Sequence, residues 1–290
     1  MKISAGVVAR NEVFTLYESV TSILPFVDEV LIVEDCSIDG TNLIAKELCS
    51  KNPKIKLHSV GPSARLSDAK NWIDENSSFD YIVWWDADFI AYGDQDFYST
   101  GDLFENINLI PDINQILFGG PNVGPTKSHT VKTKPYQGST GDTQITKKGL
   151  MKFKTDKYID TRFYTGERKT LYSNKPGINY NFVHLDKVKP LSRIILRDLL
   201  YKFETDNPVL ESSSKVFNGW LRKNRGDFSL DSAMRFVLKK MEAELIYVND
   251  FIIPCSIREK DFLNWYRLEK SGLKYVAPPE IDEPYKEYFL

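Results

Sequence analysis

The chain has 290 residues, and its 38 Lys and Arg against 40 Asp and Glu leave a formal net charge of −2, so no global field draws it onto nucleic acid. That length accommodates one large α/β domain, or a domain with an extension, around a substantial core. Its three cysteines, Cys36, Cys49 and Cys255, form no CxxC spacing and cannot all pair within one chain, which argues against a disulfide framework or zinc site and points to a reducing, cytoplasmic compartment. The opening MKISAGVVARNE runs directly into a strand-like pattern. No later stretch reaches the ~18 apolar residues of a spanning helix, so membrane contact is expected to be at most peripheral.

Ile3 to Ala9 is a short apolar run that predicts a strand, and Val13, Leu16, Tyr17, Val20 and Leu24 follow at helical spacing. Val30 to Val33 predicts a second strand; Asp39-Gly40-Thr41 then opens a segment carrying Leu43, Ile44 and Leu48, with Asp39 or Thr41 as N-cap. Ile55 to Val60 reads as a third strand, and Leu66, Ala69 and Ile73 line one face of a third helix. Tyr81 to Trp85 is the fourth strand, and it stops at Asp86-Ala87-Asp88. Strands alternating with helices predict βαβ units and a mostly parallel sheet flanked by helices, because parallel neighbours need a crossover. From about 119 to 180 the sequence loosens into a Gly-, Pro-, Thr- and Lys-rich stretch, too long for a simple connector and therefore expected to be functional. Beyond Pro190, apolar residues return at helical spacing around Leu191 to Leu199, Met234 to Leu245 and Phe262 to Tyr266, which predicts a helical extension over 191–290 behind a domain of 1–190.

The fourth strand carries the chemistry. Its alternation is expected to send Asp86 and Asp88 the same way, to the rim of the sheet, where ligands of open α/β sheets collect. Two carboxylates there suit Mg²⁺ or Mn²⁺, whose shells combine one or two carboxylates with substrate phosphates. Polar groups converge on the same rim: Ala9-Arg10-Asn11-Glu12 after the first strand, and Asp35, Ser37 and Asp39 after the second. Asp35 and Asp39 can accept hydrogen bonds from a base or ribose and Ser37 can donate one, while the helix opening near Thr41 offers free N–H groups to an anion. Arg65, Lys70 and Asn71 on the third helix are suited to a diphosphate or ribose. No glycine pattern after a strand makes a GxGxxG or Walker A loop, which disfavours a dinucleotide or P-loop site.

Taken in order, VVARNE, LIVEDCSIDGT, ARLSDAKNW and YIVWWDAD resemble the nucleotide-binding half of GT-A glycosyltransferases, especially the inverting family 2, over about residues 1–120. The resemblance implies a GT-A fold with an acceptor and catalytic region over 121–190, and a metal-dependent sugar transfer from a UDP, GDP or dTDP sugar to an acceptor hydroxyl. In such a protein Asp35 contacts the nucleobase, Asp86-Ala87-Asp88 is the DxD element holding ribose, diphosphate and metal, and His184 in Phe182-Val183-His184-Leu185 is a third metal ligand. The family's acidic pair is incomplete here, since Arg168 follows Glu167. Glu167 is the candidate base, with Asp160 and Asp142 as competitors. Cys36 stands where the family often has Gly, and Glu34 where Asp is common. Two rival readings are a nucleotidyltransferase, which would carry a Gly-rich loop where this chain reads ARNEVF, and a non-catalytic nucleotide-sugar or carbohydrate-binding module.

Overall fold

The structure, a computed structural model, describes residues 2–37, 39–61, 66–91, 103–104, 112–120, 129–131, 144–154, 162–172 and 182–185. Beyond these it describes 193, 194, 197, 199, 203, 220, 223, 245–247, 266–269 and 272–275. Two compact units make up the chain: Met1–Pro121 with Thr133–His184, and Asn122–Lys132 with Leu185–Leu290.

The first unit is built on a seven-stranded sheet. Strands β1 (Ile3–Ala9), β2 (Glu29–Glu34), β3 (Ile55–Ser59) and β4 (Tyr81–Asp86) stand where the apolar runs predict them and pair in parallel in the order β4-β1-β2-β3. Helices α1 (Leu16–Ile23), α2 (Thr41–Lys51) and α3 (Leu66–Asn76) supply the crossovers. After β4 the chain turns into the short β5 (Phe89–Ala91), followed by β6 (Gln115–Leu117), β7 (His129–Val131), β8 (Gln144–Lys147), β9 (Met151–Phe153), β10 (Arg162–Tyr164), β11 (Thr170–Tyr172) and β12 (Phe182–His184). The full sheet order is β11-β6-β8-β4-β1-β2-β3. Only β8 runs against its neighbours β4 and β6, so four of the six pairings are parallel. This is the mostly parallel α/β architecture expected of a GT-A fold.

Each face of the sheet is covered, which is why β2 (EVLIVE) is buried along its whole length. On one face Val7, Ile32 and Trp85 pack with Leu16, Val20 and Ile23 of α1 and Ala45 and Leu48 of α2. On the other, Leu31, Val33, Ile82 and Trp84 pack with Ala69 and Ile73 of α3 and with Met151 and Phe153 of β9. Helix α3 approaches β1 so closely that a Cβ on Gly6 would stand 2.5 Å from Ile73 Cγ2.

The β9–β10 pair lies on the α3 side and is tied there by polar groups. Asn71 Nδ2 donates to the Phe153 carbonyl at 2.9 Å, and Phe153 N–H donates back to Asn71 Oδ1 at 3.0 Å. Asp74, 2% exposed, accepts from Gly149 N–H at 2.8 Å and from Lys152 Nζ at 2.6 Å. The amide in the Lys70-Asn71 pair is thus engaged in holding a strand.

The second unit departs from the expected all-helical extension. Among its described residues, β7 pairs antiparallel with β13 (Leu245–Tyr247), and β14 (Tyr266–Glu269) forms an antiparallel pair with β15 (Gly272–Tyr275). Leu245 and Tyr266, read as helical from their spacing, open strands instead; short apolar runs fit both periods, and pairing with a partner decides between them. Residues 122–132 group with 185–290 in this unit, β7 pairing with β13.

Replacing Asp74 by Ala leaves Lys152 and the Gly149 amide without their acceptor. It should lower unfolding free energy by about 2–3 kcal/mol, measured by urea denaturation. A loss below about 0.5 kcal/mol, the range of ordinary surface substitutions, would show that this carboxylate does not hold the hairpin.

Candidate functional site

The loops leaving β1 and β2 satisfy each other's backbone. Three successive amides of the first loop donate to side-chain oxygens of the second: Asn11 N–H to Ser37 Oγ at 2.9 Å, Glu12 N–H to Thr41 Oγ1 at 2.8 Å, and Val13 N–H to Asp39 Oδ2 at 3.2 Å. Asp39 Oδ1 in turn accepts from Thr41 N–H and Oγ1, at 3.1 and 2.5 Å, while the N-cap position of α2 falls to Gly40 rather than to Asp39 or Thr41, with a φ of +89° that suits glycine. Thr15 Oγ1 donates to Glu12 Oε2 at 2.8 Å. Glu34 Oε1 accepts from Ser37 N–H at 2.6 Å. Two residues of this clamp hold positive φ, Asn11 at +57° and Cys36 at +50°. Asn tolerates that conformation; at 36 it is the conformation glycine would favour. The Cys36 thiol donates to the Val60 carbonyl at 3.2 Å, and burial, followed by the charges of Asp35 and Glu34, pushes its pKa up.

Above the clamp stand the acids of the strand ends. Arg10 and Asp35 directly follow the ends of β1 and β2, and Asp86 closes β4 beside them in the sheet, opposite Val8 of β1. Asp35 is 3% exposed, its N–H donates to the Ala9 carbonyl at 2.9 Å, and its Oδ2 is 3.6 Å from Arg10 Nη1. Burial raises its carboxyl pKa above the ordinary 3.8; Arg10 opposes that shift and Glu34 adds to it. A buried acceptor beside a cation, at the carboxyl ends of parallel strands, is fitted to take N–H donors from a planar ligand.

The DxD segment does not continue the strand. β4 ends at Asp86 and Ala87-Asp88 form a turn into β5, so the period-two expectation does not extend to Asp88. Helix α1 fixes this turn: Ser19 Oγ donates to the Asp86 carbonyl at 2.9 Å while accepting from Trp85 Nε1 at 3.0 Å, and Ser22 Oγ accepts from Ala91 N–H at 2.9 Å. Below the turn lies an aromatic bed, with the rings of Phe89 and Phe182 stacked at 4.2 Å and Trp85 and Phe118 edge-on to Phe182 at 5.8 Å each. β12 pairs antiparallel with β5, opposite Phe89, and brings His184 Nε2 to 3.1 Å from Asp88 Oδ2. That approach depends on Gly120, where a Cβ would fall 1.9 Å from the Phe182 carbonyl oxygen. Among the described residues, no three His, Cys, Asp or Glu converge as a metal cluster; Asp88 and His184 meet as a pair.

The remaining predicted residues divide sharply. Lys70 is 9% exposed, with its ammonium 5.3 Å from the Phe153 ring centre. Arg65, Asp142 and Asp160 lie outside the described residues. Glu167 is displaced from the rim. It lies between β10 and β11, its carbonyl accepts from Asn114 Nδ2, and Asn114 O accepts from Lys147 N–H, whose residue pairs with Tyr81 at the start of β4. Asp86 is at the other end of that strand, roughly 17 Å away along the axis for five residue steps. The parallel β6–β11 pairing thus delivers the Glu167 backbone beside the start of β4, at the end of that strand opposite Asp86. Conversely, Ser19, Ser22 and Gly120 escaped sequence reading, because a serine on a helix and a glycine in a loose stretch have no pattern that announces a carbonyl or strand partner elsewhere.

Because the folded pKa of Asp35 is raised, its stabilising contribution is full below 3.8 and is lost as pH rises through the folded value. Asp35→Asn should therefore gain melting temperature relative to wild type, by more at pH 7 than at pH 4. A gain that shrinks with rising pH, in thermal melts at both values, would refute the buried-charge account.

The family model of glycosyl transferase family 2 matches residues 4–156. Among solved structures, S. aureus TarS 1–349 is similar at 15% identity and a TM-score of 0.44, over 69% of this chain and 65% of that one. The mannosyltransferase PcManGT from Pyrobaculum calidifontis, solved with GDP-Man and Mn²⁺, is similar at 16% identity and a TM-score of 0.46, over 70% of this chain and 62% of that one. A 4-diphosphocytidyl-2C-methyl-D-erythritol synthase from Anaerococcus prevotii follows at 14% identity and a TM-score of 0.34, over 51% of this chain and 72% of that one. The chain thus spans less than two thirds of the length of TarS 1–349 and PcManGT. No curated protein matches it. With more than half of its 290 residues matched by that family model, the chain belongs to glycosyl transferase family 2.

Proposed function

We propose that this protein transfers a sugar from a nucleoside diphosphate sugar to an acceptor hydroxyl, with a divalent cation and inversion at the anomeric carbon. The observation that carries the reading is the convergence of Asp35, Asp86 and the Asp88–His184 pair at the carboxyl ends of β1, β2 and β4. Asp35 would take the base through its N–H donors, and Asp86, at the end of β4, the ribose. Asp88 Oδ2 and His184 Nε2 are 3.1 Å apart, close to the ~3 Å that separates neighbouring ligand atoms in an octahedral shell with 2.1 Å bonds. Carboxylate and imidazole together suit Mn²⁺ or Mg²⁺. Bound there, the cation would stabilise charge on the departing diphosphate. His184 must be neutral at Nε2 to serve, and the edge-on ring of Phe89, 4.8 Å away, and the Asp88 carboxylate hold its orientation. The serines of α1 keep the turn in place while the diphosphate leaves.

Transfer also needs a base on the acceptor hydroxyl, worth roughly 10²–10⁴-fold. The Glu167 backbone lies beside the end of β4 opposite Asp86. Asp142 is separated from Gln144, a neighbour of Trp84 in the sheet, by one residue of sequence, and is the acid to test. A second reading, a nucleotide-sugar-binding module without turnover, draws its support from the displaced Glu167.

Donor hydrolysis across UDP, GDP and dTDP sugars, with and without Mn²⁺, tests the proposal. Wild type should turn over at least one donor with Mn²⁺, and donor binding without turnover would favour the module. Asp88→Ala and His184→Ala should weaken Mn²⁺ binding in calorimetry; unchanged affinity in both removes the metal assignment. Asp142→Asn should lose the roughly 10²–10⁴-fold of a general base while Glu167→Gln stays near wild type, and the reverse pattern would assign the base to Glu167.

A further inference from the structure

One stretch of the first unit has a charge balance unlike the rest of the chain. Residues 147–172 hold eight Lys and Arg and three Asp and Glu, a net +5, against −7 for the other 264 residues. This stretch comprises β9, β10, the loop to β11 and β11 itself. Two of its cations are used internally, Lys148 on the carbonyls of Glu75 and Ser77 and Lys152 on Asp74. Lys154, Arg168 and Lys169 are exposed, and Glu167 is the one acid among the described residues of the stretch; Lys147 stands two residues on from Ile145 and belongs to the other face of the sheet.

Aromatic rings are interleaved with these charges. Phe163 is 42% exposed with Lys154 Nζ 5.9 Å from its ring centre, Arg168 lies 4.5 Å over Tyr164, and Tyr172 on the edge strand β11 is 71% exposed. The platform beneath is fixed by the Asn71 and Asp74 bonds to α3. Phe153 pairs with Arg162 at one end of β9–β10 and Met151 with Tyr164 at the other. Lys154 thus stands beyond one end and Arg168 and Lys169 beyond the other, spread over roughly 10 Å or more at strand rise.

A single small anion is held by cations that converge on one point; these are drawn out in a row, which matches a chain of anions. Exposed aromatic rings between them offer flat apolar faces to sugar rings. We propose that the β9–β10 face and the β10–β11 loop are the docking surface for a linear anionic glycan, the polymeric acceptor or its growing end. The choice of a glycan rests on the glycosyl-transfer reading; the anionic character rests on the charge pattern alone. The distance of Arg168 and Lys169 from the donor rim then has a use, since a polymer gripped along this face can present its end elsewhere.

The test uses the full chain and the triple variant Lys154→Gln/Arg168→Gln/Lys169→Gln, none of which belongs to the donor site. Fluorescence anisotropy is read with a labelled heparin oligosaccharide, a neutral dextran of equal length and a 20-nucleotide single-stranded DNA, at 50 and 300 mM NaCl. Binding should favour the sulfated glycan, fall with salt, and weaken roughly tenfold or more in the triple variant, with donor hydrolysis unchanged. Equal binding by wild type and variant, or dextran bound as well as heparin, overturns the proposal, and tighter DNA binding reassigns the surface to nucleic acid. Loss of donor hydrolysis in wild type with heparin binding intact would instead remove the glycosyl-transfer reading and leave an anion-binding face.

Discussion

A parallel sheet ends in a row of backbone groups that the next loop must satisfy, and here that constraint is met by one loop's amides and another loop's side chains. Asn11, Glu12 and Val13 donate in succession to Ser37, Thr41 and Asp39. Leaving such groups buried and unpaired would cost about 1–3 kcal/mol each, so the two loops hold one conformation together. The height of Arg10 and Asp35 above the sheet follows from it, as does the start of α2. The residues that look like ligand contacts in the sequence are in large part the fasteners of the pocket.

That explains what was legible. Strands β1 to β4 and helices α1 to α3 fall where apolar periodicity puts them, because each is buried on a defined face and its pattern records that face. Asp88 and His184 were readable as a pair from their motifs, and their side chains meet. The bond of Asn71 to Phe153 was not readable, since an amide beside a lysine in a helix carries no mark of whether a ligand or a strand backbone will take it. The place of Glu167 was unreadable for a related reason: β11 runs parallel to β6, so the loop before it is delivered to the start of β4, and strand direction is invisible in an acidic residue's neighbours. In the C-terminal unit, short apolar runs satisfied a helical period while pairing made them strands.

Asp35 and Cys36 show the cost of the pocket. A carboxylate whose pKa is pushed up by burial and a non-glycine residue at φ +50° both oppose folding. The clamp and the two apolar layers offset them, which is the usual relation between a binding site and its scaffold.

The Asp88–His184 contact also has a topological consequence. It joins residues 96 apart in sequence, whereas β1 and β2 pair across 25, as Ser4 with Glu29. Closing the longer loop costs about 1 kcal/mol more in chain entropy, and β12, three residues long, offsets it with its pairing to β5, its aromatic bed and the fit against Gly120. The imidazole is therefore the conditional member of the group: partial opening that frees β12 would leave the sheet, the clamp and the Arg10–Asp35 pair standing.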